Sequence, residues 1–101
     1  MTFIYNKRLG IRIPAWTKNW EDYKEEEQKK IIDNWEVIRG KIPDRIKEIE
    51  NLINYKQSQL EEEENFQKSC SLNSEISHLA STINDLWIWF RTDPQISFSK
   101  D

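Results

Sequence analysis

The feature that most constrains this chain is a long stretch without helix-breaking residues. No glycine or proline occurs between Pro43 and Pro94, and the whole sequence has only two glycines and three prolines. Glycine and proline supply the tight turns that β-rich folds need, and proline also interrupts helices. The sequence is therefore predicted to be all-α, with long helices.

Two apolar stripes within this stretch predict how the helices are arranged. Both advance by alternating steps of four and three residues, the spacing of helices that pack side by side. In the first stripe Lys56 stands at one position where an apolar side chain is expected. The remaining members are Ile42, Ile46, Ile49, Ile53 and Leu60 in the first stripe, and Leu72, Ile76, Leu79, Ile83, Leu86 and Phe90 in the second.

The two stripes are out of phase with each other. Continuing the first stripe leads to Gln67, Cys70 and Ser74, two residues out of step with Leu72 and Ile76. Two residues rotate an α-helix by about 200°, and neither of the insertions common in coiled coils, of three or four residues, produces that shift. The sequence thus predicts a turn at about residues 68–71, with helices over 43–68 and 72–91 forming a long antiparallel hairpin.

The N-terminal third is predicted to add one helix and one extended segment. A helix over 19–39 starts from Asn19 as its N-cap, and Gly40 is expected to follow its last turn. Residues 1–18 read as an extended arm, in which Ile11-Arg12-Ile13 alternates as a strand does. With no sheet to join, the arm is expected to lie across the helices or to pair with a symmetry mate. The prediction is a single three-helix domain over 1–101, with a flexible tail at 92–101.

Composition and charge narrow the functional classes. Charged residues make up 33% of the chain and hydrophobic residues 37%, so a thin core is expected. A net charge of −3 argues against a dedicated nucleic-acid binder. The single cysteine, Cys70, cannot form an internal disulfide, and the longest apolar run, residues 86–90, is too short for a membrane span. A cytoplasmic protein without membrane contact is expected.

The end of the last predicted helix is its least usual part, because it is apolar nearly all round. Such a helix end has to be covered from several sides, either by the protein's own core or by a partner. Trp87 and Phe90 are predicted to face the core, whereas Trp89, with polar helical neighbours at Thr82 and Asp85, is predicted to face a partner. The candidate protein interface comprises Trp87, Ile88, Trp89, Phe90, Trp16 and Trp20.

Residues that might bind a metal are present but sparse. Glu75 and His78 form a single Glu-x-x-His pair, whereas helical di-iron sites use two such pairs and two further Glu. The acidic run Glu61–Glu64 lacks a facing helix with suitably spaced acids, and it is interpreted as a solvated hairpin tip. No metal, no cofactor and no catalytic residue is predicted.

The leading hypothesis is a small non-enzymatic protein-interaction or regulatory module. A homodimer is expected, since a thin helical hairpin buries little apolar surface alone. One alternative is a metal-dependent helical enzyme using Glu and His on facing helices. The other is weak nucleic-acid binding through the basic arm, although residues 21–36, with seven acids and three bases, would repel phosphates. In that arm the basic residues are Lys7, Arg8, Arg12 and Lys18, and the interspersed aromatics are Tyr5, Trp16 and Trp20.

Overall fold

The computed structural model describes residues 2–15 and 19–92. Two strands, β1 (Thr2–Asn6) and β2 (Ile11–Ala15), are followed by a 3-10 turn (Trp20–Asp22) and three helices. The helices are α1 (Glu25–Gly40), α2 (Ile42–Glu62) and α3 (Phe66–Phe90). The chain is mostly helical, as predicted, but the prediction of an all-α fold is wrong because β1 and β2 are strands. Trp16 and the tail beyond Thr92 lie outside the described residues.

The N-terminal arm is a β-hairpin, and the prediction of a lone extended segment is wrong. β1 and β2 pair antiparallel with each other, from Thr2 opposite Ala15 to Asn6 opposite Ile11. In the connecting turn the Asn6 side chain accepts a hydrogen bond from the Leu9 amide at 3.0 Å. The Gly10 amide donates to the Asn6 carbonyl at 2.8 Å, and Gly10 has φ +75°. The arm therefore supplies both strands of its own sheet, with glycine where the backbone turns left-handed.

Helix α1 begins later than predicted, at Glu25 instead of residue 19. The 3-10 turn precedes it, and Tyr23 and Lys24 are extended. This interruption allows Trp20 and Tyr23 both to bury their rings, at 8% and 5% exposure, in the cluster around Trp35. Three glutamates then occupy the first turn of α1, where the helix dipole favours negative charge.

The junction between α1 and α2 also differs from the prediction. Gly40 is the last residue of α1 and does not follow the helix as a left-handed cap; Lys41 alone separates the two helices. Lys41 has φ −88° and ψ −13°, and its amide donates to the Ile38 carbonyl. Pro43 lies in the first turn of α2, where its missing N–H leaves no bond unmade.

The turn between α2 and α3 occupies residues 63–65, not 68–71. Glu63 is extended, and the Asn65 side chain caps α3 by accepting from the Lys68 amide at 3.1 Å. The Glu63 carboxylate accepts from the Asn65 amide at 3.0 Å. The phase difference between the two apolar stripes required a turn somewhere between Leu60 and Leu72. The hydrogen bonds accepted by the side chains of Glu63 and Asn65 fix where in that interval the turn lies.

The buried residues of the described chain concentrate at one end. One cluster joins the hairpin turn to the helices and contains Leu9, Ile11, Ile42, Ile46, Ile49 and Leu86. A second contains Trp20, Tyr23, Ile31 and Trp35. No residue from 50 to 81 is buried. We call this paired part of α2 and α3 the stalk, and the rest of the described chain the head.

The stalk makes the molecule elongated. Its radius of gyration is 17.6 Å and its extents are 59 × 24 × 18 Å, whereas a compact domain of about 100 residues has a radius of gyration of about 13 Å. The predicted seam is nevertheless covered: Ile53, Leu60, Leu72, Ile76 and Leu79 are all half-buried. The stalk is thus a two-layer structure with a half-buried seam and no buried residue.

Candidate protein-interaction surface

Trp89 is partly buried and packs against the core of the head. Its ring meets the ring of Trp35 edge-on, with centroids 5.7 Å apart, and it packs against both apolar clusters. Trp35 is fully buried and stacks on Phe3 of β1 at 6.4 Å. The Trp35 indole also donates to the carbonyl of Thr92 at 3.3 Å, just past the end of α3. Strand β1, α1 and α3 therefore pack against one another at the C-terminal end of α3.

Trp87 and Ile88 lie on the solvent side of the same helix end. Trp87 is 39% exposed and Ile88 is 50% exposed. Trp87 packs edge-on against Phe90 at 5.5 Å, and the Arg39 guanidinium lies 5.5 Å from the centroid of the Phe90 ring. These four residues, Trp87, Ile88, Phe90 and Arg39, form what we call the Trp87 patch. Tryptophan and arginine are both enriched among the residues that carry binding energy at interfaces.

The structure places Trp87 and Trp89 opposite to the sequence-based assignment. The polar helical neighbours Thr82 and Asp85 predict that Trp89 faces a partner. Thr82 is in fact buried at 2% exposure, and its hydroxyl donates to the His78 carbonyl at 3.0 Å. Asp85 accepts from Arg8 of the hairpin turn at 2.6 Å. The polar residues at these two helical positions therefore do not show that the neighbouring Trp89 faces solvent or a partner.

The sequence-based prediction placed two further tryptophans, Trp16 and Trp20, in the interface. Trp20 is buried with Tyr23 in the second cluster, and Trp16 lies outside the described residues. The candidate site on the described surface is thus reduced to Trp87 and Ile88, with Phe90 half-buried beside them.

A second feature, not predicted from the sequence, is an exposed flank of α3 that lies about 100° round the helix from the seam. Seven exposed residues there follow the same four-and-three spacing as the seam, and none is charged. Phe66, at 80% exposure, stands at one end and Trp87 at the other. We call this the outer face of α3, and it comprises Phe66, Cys70, Asn73, Ser77, Ala80, Asn84 and Trp87. The signal was visible in the sequence as a second, weakly apolar stripe displaced from the stronger one.

The basic arm is partly committed to internal contacts. Arg8 forms an ion pair with Asp85 at 2.6 Å. Lys7 and Arg12 are exposed on the hairpin, and Lys18 lies outside the described residues. The nucleic-acid hypothesis therefore depends on fewer cations than the sequence suggested, since counterion release scales with the number of phosphates neutralised.

Glu75 and His78 lie beside a shallow groove of about 290 Å³ that is also lined by Lys56, Ser74 and Leu79. Across the seam the Lys56 ammonium donates to the Glu75 carboxylate at 2.8 Å. A metal at this point would meet a cation where a site with facing carboxylates needs an acid. Among the described residues, no group of three or more His, Cys, Asp or Glu is placed to hold a metal ion.

Comparisons with protein-family models, with curated proteins and with solved structures found no match to this chain. None of the helices in the described part of the chain is both long and apolar enough to cross a membrane.

Proposed function

We propose that this protein is a small non-enzymatic protein-interaction or regulatory module that binds a protein partner, or a second copy of itself, through the Trp87 patch. The observation that carries the proposal is the exposure of Trp87 and Ile88, two large apolar side chains that are adjacent on one helix end. A water-facing cluster of this kind marks interaction surfaces more often than other parts of a protein surface.

The way this helix end is built supports the same proposal. Trp89, Trp35 and Phe3 pack beneath it, and the Trp35 indole holds the carbonyl of Thr92. The surface is thus preorganised, so a partner would lose little free energy to ordering side chains on binding. A reducing compartment such as the cytoplasm suits the exposed thiol of Cys70.

A differential capture experiment tests the proposal. The tagged full-length protein, the Trp87→Ser variant and the matched control Tyr55→Ser are each used to capture binding proteins from native extract. Tyr55 is 62% exposed on the stalk, so both substitutions remove an exposed aromatic ring. One partner retained by the wild type and by Tyr55→Ser is expected to be lost with Trp87→Ser, by about tenfold or more, as for an interface hot spot.

Circular dichroism of each variant provides the folding control: both variants are expected to stay helical, with the lower melting temperature for Trp87→Ser, whose ring is partly covered and packs on Phe90. Capture of the same proteins in equal amounts by all three forms would contradict the assignment of the Trp87 patch. Capture of none, at protein concentrations where the wild type is also a monomer, would contradict the interaction module itself.

A further inference from the structure

We infer that the outer face of α3 binds the outer face of α3 in a second copy of this chain, with the two helices antiparallel. The inference rests on the proposed function and names the partner for it. It concerns the full length of α3, and the Trp87 patch lies at the C-terminal end of that helix.

The outer face of α3 carries no charged side chain. One third of the chain is charged, yet the outer face carries no ionisable group other than the Cys70 thiol over seven exposed positions. The charges of α3 lie on its other sides, where Glu75 pairs with Lys56 and Asp85 pairs with Arg8. Where two copies cross at a two-fold axis each side chain meets its own copy, so a charge near the middle of this face would oppose self-pairing, and the face carries none.

Side-chain size varies along the outer face in a way that suits a helix crossing. Ser77 and Ala80 lie near its middle, whereas Phe66 and Trp87 stand at its ends, about 32 Å apart at 1.5 Å per residue. Small side chains allow two helices to approach closely where they cross, and large ones fill the space where they diverge. A two-fold axis near Ser77 and Ala80 brings Phe66 of each copy beside the Trp87 end of the other.

The charges at the two ends of α3 are complementary, and this complementarity favours the antiparallel direction. The tip of the stalk carries Glu61–Glu64. The opposite end of α3 carries Arg91, which is exposed, and Arg39, which packs on Phe90. Antiparallel pairing places the acidic tip of each copy beside the arginines of the other. Parallel pairing would place two four-glutamate tips side by side, where like charges repel.

Oligomeric state as a function of concentration is the first measurement, by sedimentation of the full-length protein. The wild type is expected to dimerise reversibly. Ala80→Glu, which places a charge beside its own copy at the two-fold axis, is expected to weaken dimerisation by about tenfold or more. Asn51→Glu, an equally exposed position on α2, is the matched control and is expected to leave the dimer unchanged. Both variants retain helix-forming residues, and circular dichroism checks that they fold.

Oxidative cross-linking tests the direction. In the antiparallel pair the two Cys70 residues lie more than about 20 Å apart along the helices, too far for a disulfide, which needs Cα atoms within about 7 Å. Native Cys70 should therefore not cross-link the dimer, whereas Cys70→Ser combined with Ser77→Cys should cross-link it readily. Cross-linking of the dimer through native Cys70 would overturn the antiparallel arrangement, because only parallel pairing brings the two Cys70 residues together.

Two other results overturn the inference. One is a wild type that stays monomeric at the highest concentration reached, and the other is a dimer that Ala80→Glu does not weaken. Neither result would refute the proposed function, because the capture experiment with Trp87→Ser reports on any protein partner separately.

Discussion

Gly10 and Arg45 together hold the β-hairpin turn against helix α2. The Arg45 guanidinium donates from Nε to the Leu9 carbonyl at 3.0 Å and pairs with Glu48 at 3.1 Å. It also packs so closely on Gly10 that a Cβ added there would overlap it. Gly10 also has φ +75°, a backbone conformation that is strained in residues other than glycine. Glycine is therefore needed at position 10 both for its backbone conformation and for the space that it leaves to Arg45.

Substituting Gly10 by alanine is expected to lower the free energy of unfolding by about 2 kcal/mol, since strain at positive φ adds to displacement of Arg45. Gly40→Ala is the matched control, because a Cβ there meets nothing within 4 Å and the residue is helical. It should raise the free energy of unfolding by up to about 1 kcal/mol. Urea denaturation followed by tryptophan fluorescence measures both, and equal effects of the two substitutions would contradict this account.

At the scale of elements, Lys56 is the one charged member of the α2 stripe. Its side chain is 22% exposed, and its ammonium reaches Glu75 of α3 at 2.8 Å. The Glu75 side chain is 52% exposed, so the ion pair is screened by water and adds roughly 0–1 kcal/mol. A lysine at such a position fixes how two helices align at some cost in stability. Lys56 therefore contributes more to the register of the stalk than to its stability.

Replacing Lys56 by leucine is expected to raise the free energy of unfolding by about 1 kcal/mol, because a partly buried leucine adds apolar burial that exceeds the lost ion pair. Lys47→Leu, at an exposed position on the same helix, should leave the free energy of unfolding within about 0.5 kcal/mol of the wild type. Thermal or urea denaturation gives the comparison. A destabilised Lys56→Leu protein would show that the ion pair outweighs the burial.

At the scale of the whole molecule, the head and the stalk differ in how they are stabilised. The fully buried side chains Trp35, Ile42, Ile46, Ile49 and Leu86 all lie in the head. The stalk has only the half-buried seam between α2 and α3. Segments with few buried apolar contacts open at lower free energy than the rest of a protein. Local opening should therefore start in the stalk, near the tip.

Hydrogen exchange measured by mass spectrometry should reveal this gradient. In dilute solution, where paired copies dissociate, amides at residues 68–78 are expected to exchange at least about tenfold faster than those at residues 82–90 of the same helix. At high concentration, the inferred pairing of α3 should slow exchange at residues 68–78. Uniform protection along α3 in dilute solution would contradict the division into head and stalk.

The sequence by itself determined the helical character and the fold-back of α2 on α3. Both follow from residue spacing within single helices: the absence of breakers after Pro43, and a phase difference between stripes that a turn resolves. The position of that turn was missed by a few residues, because phase locates only an interval. The exact position of the turn depends on two hydrogen bonds, which are accepted by the side chains of Glu63 and Asn65.

Tertiary structure alone decided which side of the aromatic helix end faces water. The segment containing Trp87 and Trp89 is apolar nearly all round, so its own periodicity does not rank its sides. The side that is covered was set by Trp35 of α1 and Phe3 of β1, which are distant in sequence and close only after the β-hairpin and α1 have packed. The sequence of the arm likewise predicts extended backbone. The pairing of β1 with β2 brings together residues that are apart in sequence, so only the structure shows it.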